Sequence, residues 1–122
     1  MEEPRANRES PLRTKSYTFG VRIVRLSQFM VSEHKEYVLS KQVLRSGTAI
    51  GALIREAEYG ISKPDFRNKM SIALKEANET DYWLSILKDT DYINEKMFQS
   101  LSADCVELIK MLIATVKTTQ KQ

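Results

Sequence analysis

Several residue types are scarce in this chain of 122 residues, and each scarcity narrows the choice of fold. Only four glycines and three prolines are present, which disfavours a fold of many short strands joined by turns. The single cysteine cannot form an internal disulfide, which fits a reducing cytoplasm. No apolar run reaches the roughly 20 residues that span a bilayer, and the N-terminal Met1-Glu2-Glu3 begins no apolar signal segment. We therefore expect a soluble cytoplasmic protein made of a few long helices.

Residues that carry catalysis or bind metals are also scarce. The one histidine, His34, falls in a predicted turn. Di-iron helical proteins need Glu-x-x-His pairs and zinc sites need several His or Cys ligands, and neither pattern occurs. No phosphate-binding glycine loop or Ser-His-Asp set can be assembled, and Cys105 lies on an apolar helical stripe as a buried thiol would. We expect no metal, no cofactor and no enzymatic activity.

What the chain does have is helical apolar spacing in four successive segments. The first predicted helix runs from about Tyr17 to Val31, with Ser16 as its N-cap. Its apolar stripe is Phe19, Ile23, Leu26 and Met30. The second runs from about Glu36 to Glu58, and its heptad-like seam is Leu39, Val43, Ser46, Ile50, Leu53 and Ala57. Gly47 and Gly51 lie in mid-helix, where each costs about 1 kcal/mol relative to alanine, so they predict a close approach by another helix.

Two further helices follow strong start signals. Ser62-Lys63-Pro64-Asp65 supplies an N-cap, a first-turn proline and an acid for a helix ending near Thr90. Asn94 caps the fourth, whose stripe is Phe98, Leu101, Cys105, Ile109, Leu112 and Val116. Four amphipathic helices with short links predict an all-α fold, an antiparallel up-down-up-down four-helix bundle over residues 16–119. Residues 1–15 lack apolar periodicity and are predicted to form a flexible N-terminal arm.

Charge is distributed unevenly along the chain. Residues 1–75 carry fourteen Lys/Arg against eight Asp/Glu, whereas residues 76–104 carry two against seven. This asymmetry fits either a basic surface that contacts nucleic acid or oppositely charged helices that pair with each other.

Two motifs carry a family resemblance. They are the segment from Gln42 to Ala57, QVLRSGTAIGALIREA, and Ser62 to Phe66, SKPDF, followed by KMSIALKEANETDYWL from Lys69 to Leu84. Together they resemble the four-helix-bundle proteins encoded in intervening sequences of bacterial 23S ribosomal RNA genes. A relative in that superfamily is the accessory protein of diversity-generating retroelements. Many members have asparagine where this chain has Leu53, so a polar contact made by that asparagine is not expected here.

The resemblance implies partners as well as a fold. It implies a homo-oligomer, commonly a ring-shaped pentamer. For the retroelement relatives it also implies a basic outer surface that binds RNA or DNA, and a protein partner, a reverse transcriptase. The role of the intervening-sequence members themselves is largely undefined.

Charged residues are the candidate functional residues. The candidate contacts with nucleic acid or with another protomer are Arg22, Arg25, Lys41, Arg45, Arg55, Lys63, Arg67, Lys69 and Lys75, and the candidate salt-bridge partners are Glu56, Glu76 and Glu79. One interpretation makes the basic residues phosphate ligands. The other pairs the arginines with glutamates, within a protomer or across an interface, and we favour it for Arg45 beside the seam. The aromatic pair Tyr82-Trp83 is interpreted as packing against a helix or protomer, with base stacking as the alternative.

Two functions therefore remain open. The first is a nucleic-acid-associated accessory or scaffold protein that works as an oligomer. The alternative is a structural or protein-binding homo-oligomer with no nucleic-acid role.

Overall fold

The first helix begins at a capping serine that lies earlier in the chain than the apolar spacing predicts. The computed structural model describes residues 10–120, in which helix α1 is Pro11–His34. The Ser10 side chain accepts a hydrogen bond from the Arg13 backbone N–H at 3.1 Å. Pro11 suits the first turn because its φ is already helical and its missing N–H would have no partner there. Leu12 is buried beneath this turn.

The predicted start at Tyr17, with Ser16 as N-cap, is therefore wrong. Ser16 lies inside α1, where its buried hydroxyl donates to the Arg13 carbonyl oxygen at 3.1 Å. Because this buried position is polar, the apolar stripe does not continue to the true start of the helix. Residues 10–15 of the predicted arm form the cap and first turn of α1, and residues 1–9 lie outside the described part of the chain.

The connection between α1 and α2 also lies later than predicted. Lys35 adopts the left-handed conformation with φ of 53°, and its N–H donates to the Val31 carbonyl oxygen at 3.1 Å, which closes α1. Helix α2 is Leu39–Glu58. Glu36 precedes α2, and its carboxylate accepts a hydrogen bond from the Ser40 N–H at 2.9 Å. The predicted start at Glu36 is wrong because this side chain caps the helix from outside.

The start signals of the last two helices are confirmed. Helix α3 is Lys63–Asp89 and helix α4 is Glu95–Gln120. The side chains of Ser62 and Asn94 each accept a hydrogen bond from the backbone N–H three residues later, at 3.1 and 2.8 Å. Residues 10–120 contain four helices and no strand, which confirms the all-α class. None of these helices is long and apolar enough to cross a membrane.

A single core joins the four helices. The predicted stripe of α1 is buried, whereas α2 and α4 each contain a position at which a neighbour of the predicted residue is buried instead. Ile54 is fully buried where Leu53 was predicted, and Leu108 is buried where Ile109 was predicted. Leu53 and Ile109 are half-buried and pack against the core. Steps of three and four both keep a side chain near one helix face, so spacing alone does not choose between such neighbours.

Helix α1 approaches α2 closely at two glycines. A Cβ atom on Gly47 would lie 2.8 Å from both Cγ atoms of Ile23, and one on Gly51 would lie 3.3 Å from the Ser16 backbone oxygen. Both distances are shorter than ordinary van der Waals contact. The predicted close approach by another helix is therefore confirmed, and its partner is α1.

A buried polar pair links α2 to α3. The Thr80 hydroxyl lies 2.9 Å from the Ser46 hydroxyl and 2.8 Å from the Glu76 carbonyl oxygen. The Ser46 hydroxyl is also 3.4 Å from the Val43 carbonyl oxygen. Both hydroxyls are fully buried yet hydrogen-bonded, which removes most of the penalty of placing them in an apolar core.

Gly47→Ala tests the close approach. We expect it to lower the free energy of unfolding by about 1–3 kcal/mol, because the new methyl group overpacks the contact with branched, buried Ile23. The measurement is urea denaturation followed by circular dichroism. In an Ile23→Ala background the same substitution should lose this penalty, since the opposing Cγ atoms are gone. Equal effects of Gly47→Ala in both backgrounds would contradict the contact.

Candidate nucleic-acid and self-assembly surface

Arg45 projects from α2 and reaches two carboxylates on α3. Its guanidinium lies 3.3 Å from Glu76 Oε1 and makes a second, short ion pair with Glu79 Oε2. The arginine side chain is about half exposed, whereas the two glutamates are more buried. Arg45 therefore joins α2 to α3 within one protomer, and its guanidinium is only partly available to a phosphate.

Glu79 also anchors the aromatic pair. The Trp83 indole N–H donates to Glu79 Oε2 at 3.0 Å, and Trp83 packs against the core. Tyr82 meets the Trp83 ring edge-on, with centroids 5.1 Å apart, and its side chain remains largely exposed. The predicted packing of an aromatic side chain against the helices thus applies to Trp83, whereas Tyr82 faces outward.

Two more candidate cations are engaged within the protomer. Arg22 Nη1 lies 2.6 Å from Asp104 Oδ2, and the same guanidinium donates to both the carbonyl and the hydroxyl of Ser100. Lys69 Nζ lies 3.1 Å from Glu56 Oε1. These contacts connect α1 to α4 and α2 to α3. Both cations therefore stabilise the packing of the helices, and their charge is already partly neutralised within the protomer.

Arg55 and Arg67 make weaker contacts. The Arg55 guanidinium lies 5.9 Å from the centre of the Tyr17 ring, at the outer limit of a cation–π contact. Arg67 Nη1 is 3.5 Å from the Thr119 carbonyl oxygen. Neither arginine forms an ion pair within residues 10–120, so no carboxylate there offsets the charge of either one.

The remaining four candidates are exposed. Arg25 makes only a 3.3 Å hydrogen bond to the neutral Gln28 side chain. The other three are Lys41, Lys63 and Lys75, and none of them forms an ion pair in the described part of the chain. Arg25 lies on α1, Lys41 on α2 and the other two on α3. We refer to these four residues as the open cations.

One interhelical cluster was not predicted from the sequence. Arg13 Nη1 lies 3.3 Å from Glu58 Oε1, and the Ser10 hydroxyl donates to Glu58 Oε2 at 3.0 Å. Both ionic side chains are about four-fifths buried. These residues connect the start of α1 to the end of α2. Arg13 was missed because the predicted helix did not include it, and opposite charges 45 positions apart give no local signal.

His34 lies between two aromatic rings. Its ring centroid is 5.5 Å from that of Phe29 and 5.3 Å from that of Tyr92, both edge-on. The contact with Tyr92 brings the α1–α2 and α3–α4 connections to the same end of the molecule. No group of three or more His, Cys, Asp or Glu positioned to hold a metal ion occurs among residues 10–120.

Cys105 is buried in the core, as the sequence predicts. Its thiol donates to the Ala77 carbonyl oxygen across a 3.3 Å contact. Burial raises the pKa of this thiol to about 12, with the nearby carboxylates of Asp81 and Asp104 adding to the effect. Reactivity requires the thiolate, so Cys105 is chemically quiet in the folded protein.

The fold and these contacts define an all-α protein whose four helices are joined by interhelical ion pairs. Residues 8–114 match the family described as 23S rRNA-intervening sequence protein. The chain belongs to this family, which confirms the resemblance noted from its two motifs. No curated protein matches the sequence significantly.

A solved structure supports the assignment. The chain is similar to a protein of unknown function from the S23 ribosomal protein family of Bacteroides thetaiotaomicron, with 55% sequence identity. The match covers 87% of this chain and 98% of that one, with a TM-score of 0.86. The two proteins therefore share the same fold over nearly their whole length.

The Arg45 ion pairs should contribute little to stability. We expect Arg45→Ala to lower the free energy of unfolding by less than about 1 kcal/mol, because solvent screens a half-exposed pair. A double-mutant cycle with Glu79→Ala should give a coupling energy of a few tenths of a kcal/mol that shrinks as salt is added. A coupling that does not respond to salt would contradict this electrostatic interpretation.

Cys105 should resist thiol reagents until the protein unfolds. At pH 8 we expect a disulfide reagent to modify the native protein far more slowly than the urea-unfolded chain, because the thiol is both buried and protonated. The folded pKa lies above the ordinary value of 9.0, so this thiol favours folding below pH 9 and its contribution declines as the pH rises further. Rapid modification of the native protein at pH 8 would argue against a buried thiol.

Proposed function

We propose that this protein is a homo-oligomeric accessory or scaffold protein that associates with nucleic acid through contacts to phosphates. The observation that carries the proposal is the set of open cations, Arg25, Lys41, Lys63 and Lys75, which are exposed and lack a carboxylate partner among residues 10–120. Lysine and arginine at such positions supply affinity for the phosphate backbone that does not depend on base sequence.

The family supports a link to nucleic acid in two ways. Its description refers to intervening sequences of 23S rRNA, and the Bacteroides relative is assigned to the S23 ribosomal protein family. The chain is also basic, with a sequence pI of about 9.0, which favours association with polyanions. We take the pentamer implied by the family resemblance as the working stoichiometry.

We infer that the four helices alternate in direction, as the short connections require. Contacts between neighbours support this arrangement. Arg13 near the start of α1 meets Glu58 at the end of α2, and Lys69 near the start of α3 meets Glu56. Arg67 in the first part of α3 contacts Thr119 near the end of α4. Each pair joins the beginning of one helix to the end of its neighbour.

We also propose that the protein acts without catalysis and in the cytoplasm. The single histidine is held between Phe29 and Tyr92, and the single thiol is buried with a raised pKa. An unoxidised, buried cysteine is compatible with a reducing compartment.

A second candidate function is a structural or protein-binding oligomer with no nucleic-acid role. The observation that favours it is the engagement of Arg22, Arg45 and Lys69 by carboxylates. These three cations were candidates for phosphate contact, and their charge is already neutralised locally. The open cations, together with Arg55 and Arg67, must then supply most of any affinity for nucleic acid.

Two charge-matched variants distinguish the two functions. One carries Lys41→Gln, Lys63→Gln and Lys75→Gln; the control replaces three lysines of α4, namely Lys96, Lys110 and Lys117, with glutamine. Both lose three positive charges. The control lysines are also exposed and form no ion pair among the described residues, so the two variants differ in the position of the lost charges. We expect the first variant to bind labelled RNA or duplex DNA more weakly than the control, because in our proposal the lysines of α2 and α3 make the phosphate contacts.

The readout is fluorescence anisotropy at several salt concentrations, with single-stranded RNA, structured RNA and duplex DNA as probes. For wild type, log affinity should fall linearly with log salt, and the first variant should reduce the slope by roughly 2 to 3 per protomer engaged. Equal losses in both variants would show a general charge effect. No binding of wild type at low salt would eliminate the nucleic-acid function and leave the second candidate.

A further inference from the structure

The outer face of α1 and α2 contains a groove that no part of residues 10–120 fills. Its volume is about 390 Å³. Apolar and small side chains form its floor and two arginines stand at its edge. The residues that line it include Tyr17, Gly20, Val21, Val24, Ala52 and Arg55. We call this the α1–α2 groove.

The α1 side of the groove is a second apolar stripe. Tyr17, Val21 and Val24 follow one another at intervals of four and three, the spacing of a helix-packing seam. They are 62, 43 and 37% exposed. The core stripe of α1 lies on a different face and is buried, so this second stripe is separate from the core. Contiguous exposed apolar side chains of this kind are typical of an interaction surface.

Gly20 is a second indication that this face of α1 is an interaction surface. Glycine is the poorest helix former after proline, and the helical glycines Gly47 and Gly51 are each explained by a close neighbour on α1. A Cβ on Gly20 would meet nothing within 4 Å. Nothing in the protomer therefore requires glycine here. A partner packed closely against the α1 backbone would require it, because a side chain would then have no room.

The charge of the groove restricts what can occupy it. Arg13 and Arg55 line it and no carboxylate does. Arg13 is already paired with Glu58, whereas Arg55 has no ion pair among the described residues. Two copies meeting groove to groove would bring the Arg55 of each toward the Arg55 of the other, which is unfavourable in a desolvated contact. The occupant should instead present negative charge together with an apolar side chain.

The same chain presents such a surface on α3. Glu76 and Glu79 of this helix are paired with Arg45, but half-buried Asp81 forms no ion pair within the described residues. Tyr82 follows it and is 57% exposed, the one large apolar side chain of α3 with this degree of exposure. Asp89 lies two turns further along and pairs only at 3.8 Å with its neighbour Lys88. An exposed tyrosine with Asp81 beside it and Asp89 two turns away suits an apolar groove that carries the unpaired Arg55.

We propose that the α1–α2 groove of one protomer receives the α3 surface around Tyr82 of a second copy. This inference rests on the homo-oligomer of the proposed function and specifies which surfaces meet. The contact is heterologous, because each protomer contributes a groove to one neighbour and a tyrosine to the other. Such contacts continue until a ring closes.

Complementary variants test the contact. Gly20→Glu fills the groove and repels carboxylates, and it replaces a poor helix former with a good one, so the protomer should fold. Ala52→Glu blocks the groove from α2 and serves as a second groove variant. Tyr82→Ala removes the inserted side chain. Tyr37→Ala is the matched control, since Tyr37 is similarly exposed but lies outside both surfaces.

The measurement is sedimentation velocity of the full chain over a range of concentrations, with helix content checked by circular dichroism. Wild type and Tyr37→Ala should form the same oligomer. Gly20→Glu, Ala52→Glu and Tyr82→Ala should each be monomeric at concentrations at least tenfold above those at which wild type assembles. An equimolar mixture of Gly20→Glu and Tyr82→Ala should give a heterodimer that grows no further, because only one intact groove and one intact tyrosine surface can meet.

Three results would overturn the inference. If wild type assembles and the folded groove and tyrosine variants assemble equally well, the interface lies elsewhere while the proposed oligomer stands. If each variant is monomeric but the mixture forms no heterodimer, the two surfaces do not meet each other. If wild type is a monomer at all concentrations, the oligomer itself is absent, and this inference fails together with that part of the proposed function.

Discussion

The approach of α1 to α2 is the constraint on which the rest of the structure depends. Gly47 leaves room for Ile23, and Gly51 leaves room for the α1 backbone at Ser16. A side chain at either position would move the two helix axes apart. The Arg13–Glu58 pair would then lose its geometry, and the α1–α2 groove would change shape. The position of α1 therefore determines both how tightly the core packs and the shape of the α1–α2 groove.

Charge serves two purposes in this molecule, and the structure separates them. Arg22, Arg45 and Lys69 hold neighbouring helices together through carboxylates. The open cations have no such partner among residues 10–120 and remain available to solvent or to phosphates. A count of lysines and arginines thus overstates the basic surface, because several of these cations are paired with carboxylates inside the protomer.

The sequence predicts the fold well where a local rule decides it. The caps at Ser62 and Asn94 and the packing at Gly47 and Gly51 follow from side chains a few residues apart, and all are found in the structure. Prediction fails at the start of α1, because buried Ser16 hides the continuation of an apolar stripe. The candidate site was less predictable. Which cation meets which carboxylate depends on helix rotation and axial position, and neither is encoded in local spacing.

The Ser46–Thr80 pair has a consequence for the uniqueness of the fold. A purely apolar interface between α2 and α3 would tolerate a slide of one helical turn, since leucine, isoleucine and alanine fit many neighbours. A hydroxyl on each helix joins the other at 2.9 Å in the dry interior, and a slide would break this bond. Each hydroxyl would keep its contact with a carbonyl oxygen of its own helix, Glu76 for Thr80 and Val43 for Ser46. The loss is therefore one interhelical hydrogen bond, about 0.5–1.5 kcal/mol, which favours one alignment of the two helices over several that the apolar side chains alone would allow.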